Sequence, residues 1–293
     1  MDDKGRESGH LMLITPERVF YAGLLGRPRQ RCSGAFNIYV AIKGGLRLAS
    51  EGAVEGHGEL AVVPPNLRHT IASDYRSVIC ILIEPETVCA GAFDLLAERL
   101  SGAERQYFVD RIRAVYGKLQ HQPCGDIVSA AFDVMCFGEA LARRSPDSRV
   151  VQAIAQIGRF SGDPVTAASC AAVAGLSASR FLHLFKQETG ISFRSFRAWK
   201  RARHLLHFAN QDLNLAHLAQ EIGYPDSTHF SHSIRHFYGL KPRAIFSGSR
   251  NLAIYRSGLV GADDSAWTQE AAAGGTHDPP RYSAKPRESK AAP

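Results

Sequence analysis

Between Leu11 and Glu84 the chain runs in short apolar bursts broken by glycine and proline. NIYVAIKGGLRLAS sets β-branched and aromatic residues on both sides of a Gly44-Gly45 turn. ELAVVPPNLRHTIA stops a strand at Pro64-Pro65, and RSVICILIEP is an almost unbroken apolar strand that stops at Pro85. Short strands separated by such turns predict a small β-sandwich or barrel. From about Gly91 the period changes to three and four in AFDLLAERL, RQYFVDRIRAVYGKL and IVSAAFDVMCFGEALARR, which predicts two or three amphipathic helices. SPDS at 145–148 reads as a linker that ends in a helix N-cap at Asp147 or Ser148. The segment from Arg149 to Phe246 reads as all helical. The tail, 251–293, is rich in Gly, Ala, Pro, Ser and charge, and is expected to be disordered.

One helical pattern occurs twice. AAVAGLSASRFLHLFKQETG (171–190) and AQEIGYPDSTHFSHSIRHFYG (219–239) align with a single extra residue in the turn. Ala171 and Gly175 match Ala219 and Gly223, while Phe181, His183, Phe185, Lys186 and Gly190 match Phe230, His232, Ile234, Arg235 and Gly239. A small-residue helix ends at a glycine suited to a left-handed cap. An apolar Leu176 or Tyr224 turns back to the core, and Ser177 or Asp226 caps the next helix. This is a helix-turn-helix used twice.

Charge adds to the picture. The net charge of +7 is confined to 147–250, where thirteen Lys and Arg face six Asp and Glu; the segments on either side balance to zero. Seven of the twelve histidines fall in the same block. A localised basic segment is the footprint of a polyanion binder. The six cysteines, at 32, 80, 89, 124, 136 and 170, form no C-x-x-C pair and read as dispersed reduced thiols. No run of eighteen apolar residues and no signal-peptide core is present, so a cytoplasmic protein without a membrane span is expected.

The 171–190 block, and above all Ile222-Gly223-Tyr224, Asp226-Ser227, Phe230-Ser231, Phe237-Tyr238-Gly239 and Pro242, resembles the AraC/XylS family of transcription regulators over about 100 residues. The resemblance implies an α+β protein. Its C-terminal all-α domain, 147–250, holds two helix-turn-helix subdomains, about 166–189 and 214–238, joined by a long helix at about Ser192 to Phe208. It places DNA-binding roles on Ser179, Leu182, His183 and Lys186 in the first unit and on Ser227, Thr228, Ser231, His232 and Arg235 in the second. Leu182 departs from the long polar residue often found there, although an apolar side chain still reads a thymine methyl. Phe181, Leu184 and Phe185, and likewise Phe230, Ile234 and Phe237, are expected to face the core. Arg201 is expected to hold the two subdomains together as readily as it touches DNA, and His204 and His207 are expected at the surface.

GHGELAVVPPNLRHTI is similar to the second conserved motif of the cupin barrel, with Asn66 where glycine is usual. The resemblance implies a cupin-like sensory domain over 1–90, followed at 91–146 by helices that serve dimerisation or plain core packing. Metal-binding cupins need an upstream His-x-His, and RPRQRCSGAFNIYVAIKGG has no histidine, so His69 reads as a structural or pocket residue. No cofactor, metal or catalysis is therefore expected, and the partner is double-stranded promoter DNA. RNA polymerase, a small-molecule effector and a second copy of the chain are further partners that the resemblance allows. The competing readings are a cupin-type metalloenzyme with a DNA-binding appendage, an alkyl-transfer DNA-repair protein and an architectural DNA binder. The first needs a metal, the second clustered cysteines on zinc, and the third shows little sequence preference.

Overall fold

A computed structural model describes residues 9–51, 56–122, 127–159, 165–211, 213–246 and 252–257. The N-terminal part folds as eight strands: β1 Leu11–Ile14, β2 Arg18–Leu24, β3 Phe36–Ala41, β4 Leu46–Ser50, β5 Gly56–Gly58, β6 Leu60–Val63, β7 His69–Ser73 and β8 Ser77–Ile83. Helices α1 Ala90–Ser101, α2 Arg105–His121 and α3 Ser129–Phe137 follow. The C-terminal part contains α4 Ser148–Ile157, α5 Ala167–Val173, α6 Ala178–Thr189, α7 Phe193–His204, α8 Leu215–Glu221, α9 Ser227–Tyr238 and α10 Pro242–Phe246, and ends in β9 Ala253–Arg256.

The strands form two sheets, ordered β6-β3-β8-β2-β1-β9 and β5-β4-β7. Among the described residues no ladder joins the two sheets, so the expected barrel is open rather than closed. Strand β8 explains the unbroken apolar run at 77–83. Its Ile79, Ile81 and Ile83 face α1–α3, while Val78, Cys80 and Leu82 face the other way, so both of its faces are covered. Asn66 takes φ +62°, the left-handed turn conformation that suits glycine and, next best, asparagine. That is the position where the cupin pattern has glycine.

The amphipathic stripes of α1–α3 are used in packing. Leu96, Leu100, Phe108, Ile112, Leu119 and Phe132 share one core with Phe20, Ile38 and Ile81 of the large sheet. Arg18 of β2 and Asp133 of α3 fix the contact with a fully buried ion pair, Nε to Oδ1 at 2.8 Å. Among the described residues, Cys32, Cys80, Cys89, Cys136 and Cys170 form no disulfide; Cys124 lies outside the described residues.

One expectation fails in the tail. Residues 253–256 form a strand, paired parallel to β1 with Met12 opposite Ile254. Four residues are too few to show a period, and only the open edge of β1 makes a strand of them. The rest of the tail, 258–293, lies outside the described residues.

Candidate nucleic-acid interface

The two helix-turn-helix units are built alike, as the repeat requires. Gly175 and Gly223 follow α5 and α8 at φ +64° and +82°. The next residues, Leu176 and Tyr224, send their N–H groups back to the carbonyls of Ala171 and Ala219, 2.9 and 2.8 Å away. This closure is a Schellman cap, and an L side chain is strained at its glycine. The capping side chains are the expected ones: Ser177 accepts from the Arg180 N–H, and Asp226 accepts from Thr228 and His229. The axes of α5 and α6 meet at 92°, within the range of this motif. Helices α6 and α9 both have 12 residues, and both end at a left-handed glycine, Gly190 and Gly239.

Each of these helices has one apolar face. Phe181 and Phe185 of α6 pack edge-on to Phe193, and Phe185 also to Phe196 of α7, with ring centroids 5.2–5.6 Å apart. Phe230 and Ile234 of α9 pack with Leu205, Leu218 and Tyr224. Leu184 is half-buried beside the first core, and Phe237 is buried but joins a different cluster, with Trp199 and sheet residues.

The opposite faces carry the residues singled out from sequence. Ser179, Leu182, His183 and Lys186 are exposed on α6; Leu182 is 41% exposed. Ser227, Thr228, His232 and Arg235 are exposed on α9, and Ser231 is half-buried. Gln187 lies exposed beside His183 and Lys186, and a glutamine within a polar run gave no signal that would single it out. Among the described residues, no three His, Cys, Asp or Glu are grouped to hold a metal ion. In the histidine stripe of α9, His229 Nδ1 instead meets Asp226 Oδ2 at 2.8 Å. The His236 carbonyl accepts from the Cys32 N–H at 2.8 Å. Burial, then the charge of Arg68, lowers the pKa of the His236 imidazole.

Helix α7 joins the two units and carries five basic residues, only some of which face outward. Arg194 is exposed. Arg201 lies over the Tyr224 ring, 5.9 Å from its centroid, a contact between α7 and the second unit. Lys200 and Arg203 instead turn into the N-terminal part. Lys200 pairs with Glu84 and Glu86, and Arg203 Nε lies 2.7 Å from Glu84 Oε1. Burial pushes the Glu84 carboxyl pKa up, but Lys200 and Arg203 outweigh it and hold that carboxyl ionised. For Glu86 burial wins, and its pKa is raised. Part of the basic excess counted along the chain is therefore neutralised inside the protein.

His204 and His207 are half-buried rather than at the surface. They follow the turn of α7 into a 3-10 segment, Leu205–Phe208, and their rings lie 5.5 Å apart. Burial, with the nearby positive charge of Arg203, lowers their pKa values to about 4 and about 3. His69 is buried in the N-terminal part, with Nε2 at 2.9 Å from the Tyr39 hydroxyl and Nδ1 at 2.9 Å from the Leu67 carbonyl. It is a structural residue, and burial lowers its pKa to about 4.

Residues 170–247 match the family model of a helix-turn-helix domain. Among solved structures, an apo variant of ToxT from Vibrio cholerae strain SCE256 aligns with a TM-score of 0.50 at 13% identity, covering 79% of this chain and 97% of that one. ToxT from Vibrio cholerae O395 aligns with a TM-score of 0.50 at 8% identity, covering 78% and 97%. A transcriptional regulator with an AraC-type DNA-binding domain from Chromobacterium violaceum aligns at 19% identity and a TM-score of 0.33, covering 35% and 92%. No curated protein matches. The C-terminal resemblance to AraC/XylS regulators is borne out, and the two ToxT alignments share the order of a sheet-rich N-terminal part followed by helices.

Proposed function

We propose that the protein is a sequence-specific transcription regulator that binds promoter DNA through α6 and α9, each laid in a major-groove segment. One observation carries this reading: two helices of equal length and equal capping bury an aromatic face and leave a polar face open. A helix fits the major groove, where side chains distinguish all four base pairs. His183, Leu182 and Ser179 would read bases in one segment, and His232, Thr228, Ser227 and Ser231 in the other. Lys186 and Arg235 would contact phosphates or guanine edges, with Arg194 of α7 between the units on the backbone.

The division of labour follows the packing. The sheet and α1–α3 make a receiver domain, and Glu84 and Glu86 hold the connecting helix of the DNA-binding domain against it. A signal at the receiver would act through that contact. Selection from a random duplex library, followed by footprinting of the full chain on the selected sequences, tests the reading. Two conserved half-sites on one face of the duplex are expected. Bound sequences that share no motif would remove sequence specificity and favour an architectural role.

A further inference from the structure

A basic loop between β2 and β3 lies against the second helix-turn-helix unit. It reads GRPRQR at 26–31, and no acidic residue occurs between Leu24 and Ala35. The far end of the loop is fixed on two sides. The backbone of Arg31 exchanges two hydrogen bonds with His69, at 2.9 and 3.0 Å, and the Cys32 N–H donates to the carbonyl of His236 in α9. The residues before it run over the end of that helix. A Cβ on Gly239 would lie 3.1 Å from the Arg29 carbonyl oxygen and 3.3 Å from that of Gln30, and a Cβ on Gly26 would lie 3.1 Å from Leu240.

This placement joins two sets of charges. Arg31 is buried, but Arg27 and Arg29 are exposed. So are Arg235 of α9 and, just after the helix, Lys241 and Arg243, and no acidic residue occurs from Ser227 to Phe246. Arg68 is exposed as well, and near enough to His236 for its charge to bear on that imidazole. Among the described residues only Arg68 of these six cations has an acidic neighbour, Glu51 at 4.0 Å. Both side chains of that pair are more than half exposed, where an ion pair contributes little. The basic surface therefore continues from the C-terminal half of α9 onto the N-terminal part. The acidic Asp226 caps the opposite end of the helix.

We propose that the loop at 26–31, together with Arg68, is a further DNA contact, in which Arg27, Arg29 and Arg68 hold backbone phosphates beside the half-site read by α9. The major groove is only about 12 Å wide and is rimmed by phosphates. A twelve-residue helix is about 18 Å long, so a loop packed on its end lies where the chain meets that rim. Such contacts carry no sequence information; they add affinity, register and salt dependence. The proposal rests on the reading of α9 as a DNA-binding helix.

The test is fluorescence anisotropy of the full chain on the selected duplex and on random duplex, over a salt series. Arg27→Gln with Arg29→Gln is expected to lower the slope of log affinity against log salt by about two on both DNAs. Arg27→Lys with Arg29→Lys keeps the charges and should keep the slope. Lys118→Glu removes the same two units of charge from an exposed position on α2, which covers the opposite face of the large sheet from α9, and should also keep it. Ethylation interference on the glutamine pair should lose phosphates beside one half-site and none beside the other. An unchanged slope in the glutamine pair, an equal fall in Lys118→Glu, or phosphates lost beside both half-sites would each overturn the proposal. An unchanged slope would also leave the basic surface to an acidic protein partner. A parent chain that binds no duplex removes the regulatory reading and this proposal with it. A parent that selects a motif, beside a glutamine pair of unchanged slope, removes this proposal alone.

Discussion

The indole Nε1–H of Trp199, in the helix joining the two helix-turn-helix units, donates to the Glu84 carboxylate at the end of β8, 3.0 Å away. Trp199 is 1% exposed and Glu84 0%. The same carboxylate meets Lys200 and Arg203, so one acidic side chain from the N-terminal part holds three groups of α7. Arg203 also donates to the carbonyls of Thr15 and Arg18.

Removing that carboxylate takes its ion-pair partner from buried Arg203 and leaves Lys200 with Glu86 alone. Glu84→Ala is expected to destabilise the protein by about 3–5 kcal/mol, the usual cost of breaking a buried ion pair on one side. Glu84→Gln, which keeps an acceptor for Trp199, should cost less. Urea unfolding of both variants checks the order, and equal costs would show that the acceptor for Trp199 adds nothing to the charge of Glu84.

His232 sits on the open face of α9. His232→Ala is expected to weaken binding to the selected DNA site by about 1–3 kcal/mol while sparing random DNA. Lys186→Ala is expected to weaken both alike if its partner is a phosphate, and to lower the slope of affinity against salt by about one. Fluorescence anisotropy over a salt series separates the two. Equal loss on both DNAs for His232→Ala would deny it base reading.

Three histidines predict an acid-labile fold. His69, His204 and His207 have folded pKa values near 4, 4 and 3, below the ordinary value of 6.5. Below pH 6.5 the unfolded chain therefore binds protons that the folded one refuses, so stability rises with pH through this range. It is fully present above 6.5 and is lost as pH falls toward 4. The denaturation midpoint should drop between pH 6.5 and 4.5, and His204→Gln with His207→Gln should flatten that drop. A midpoint flat over this range in the parent protein would contradict the burial of these rings.

The β9 strap is expected to matter although it is short. Leu252, just before it, is 5% exposed in the cluster with Met12, Trp199 and Phe237. Leu252→Ala is expected to cost about 2–5 kcal/mol, as for other buried leucines. A thermal melt of this variant within a degree of the parent would show that the C-terminal strand is only loosely attached.

The sequence by itself determined the local architecture of the DNA-binding part. The repeat, its glycines and its caps are set by short-range rules: a left-handed φ at Gly175 and Gly223, and a side-chain acceptor at Ser177 and Asp226. The spacing of Phe181 and Phe185, and of Phe230 and Ile234, fixed which face is buried, and so left the polar faces of α6 and α9 open. The tertiary structure decided what depends on distant partners. Lys200 and Arg203 look like their basic neighbours along the chain, and only the ends of β8 and of the turn beyond it bring Glu84 and Glu86 to them. Residues 253–256 become a strand only because β1 offers them an unpaired edge. Burial and charge pairing are properties of places in the fold, and periodicity along a chain carries no record of them.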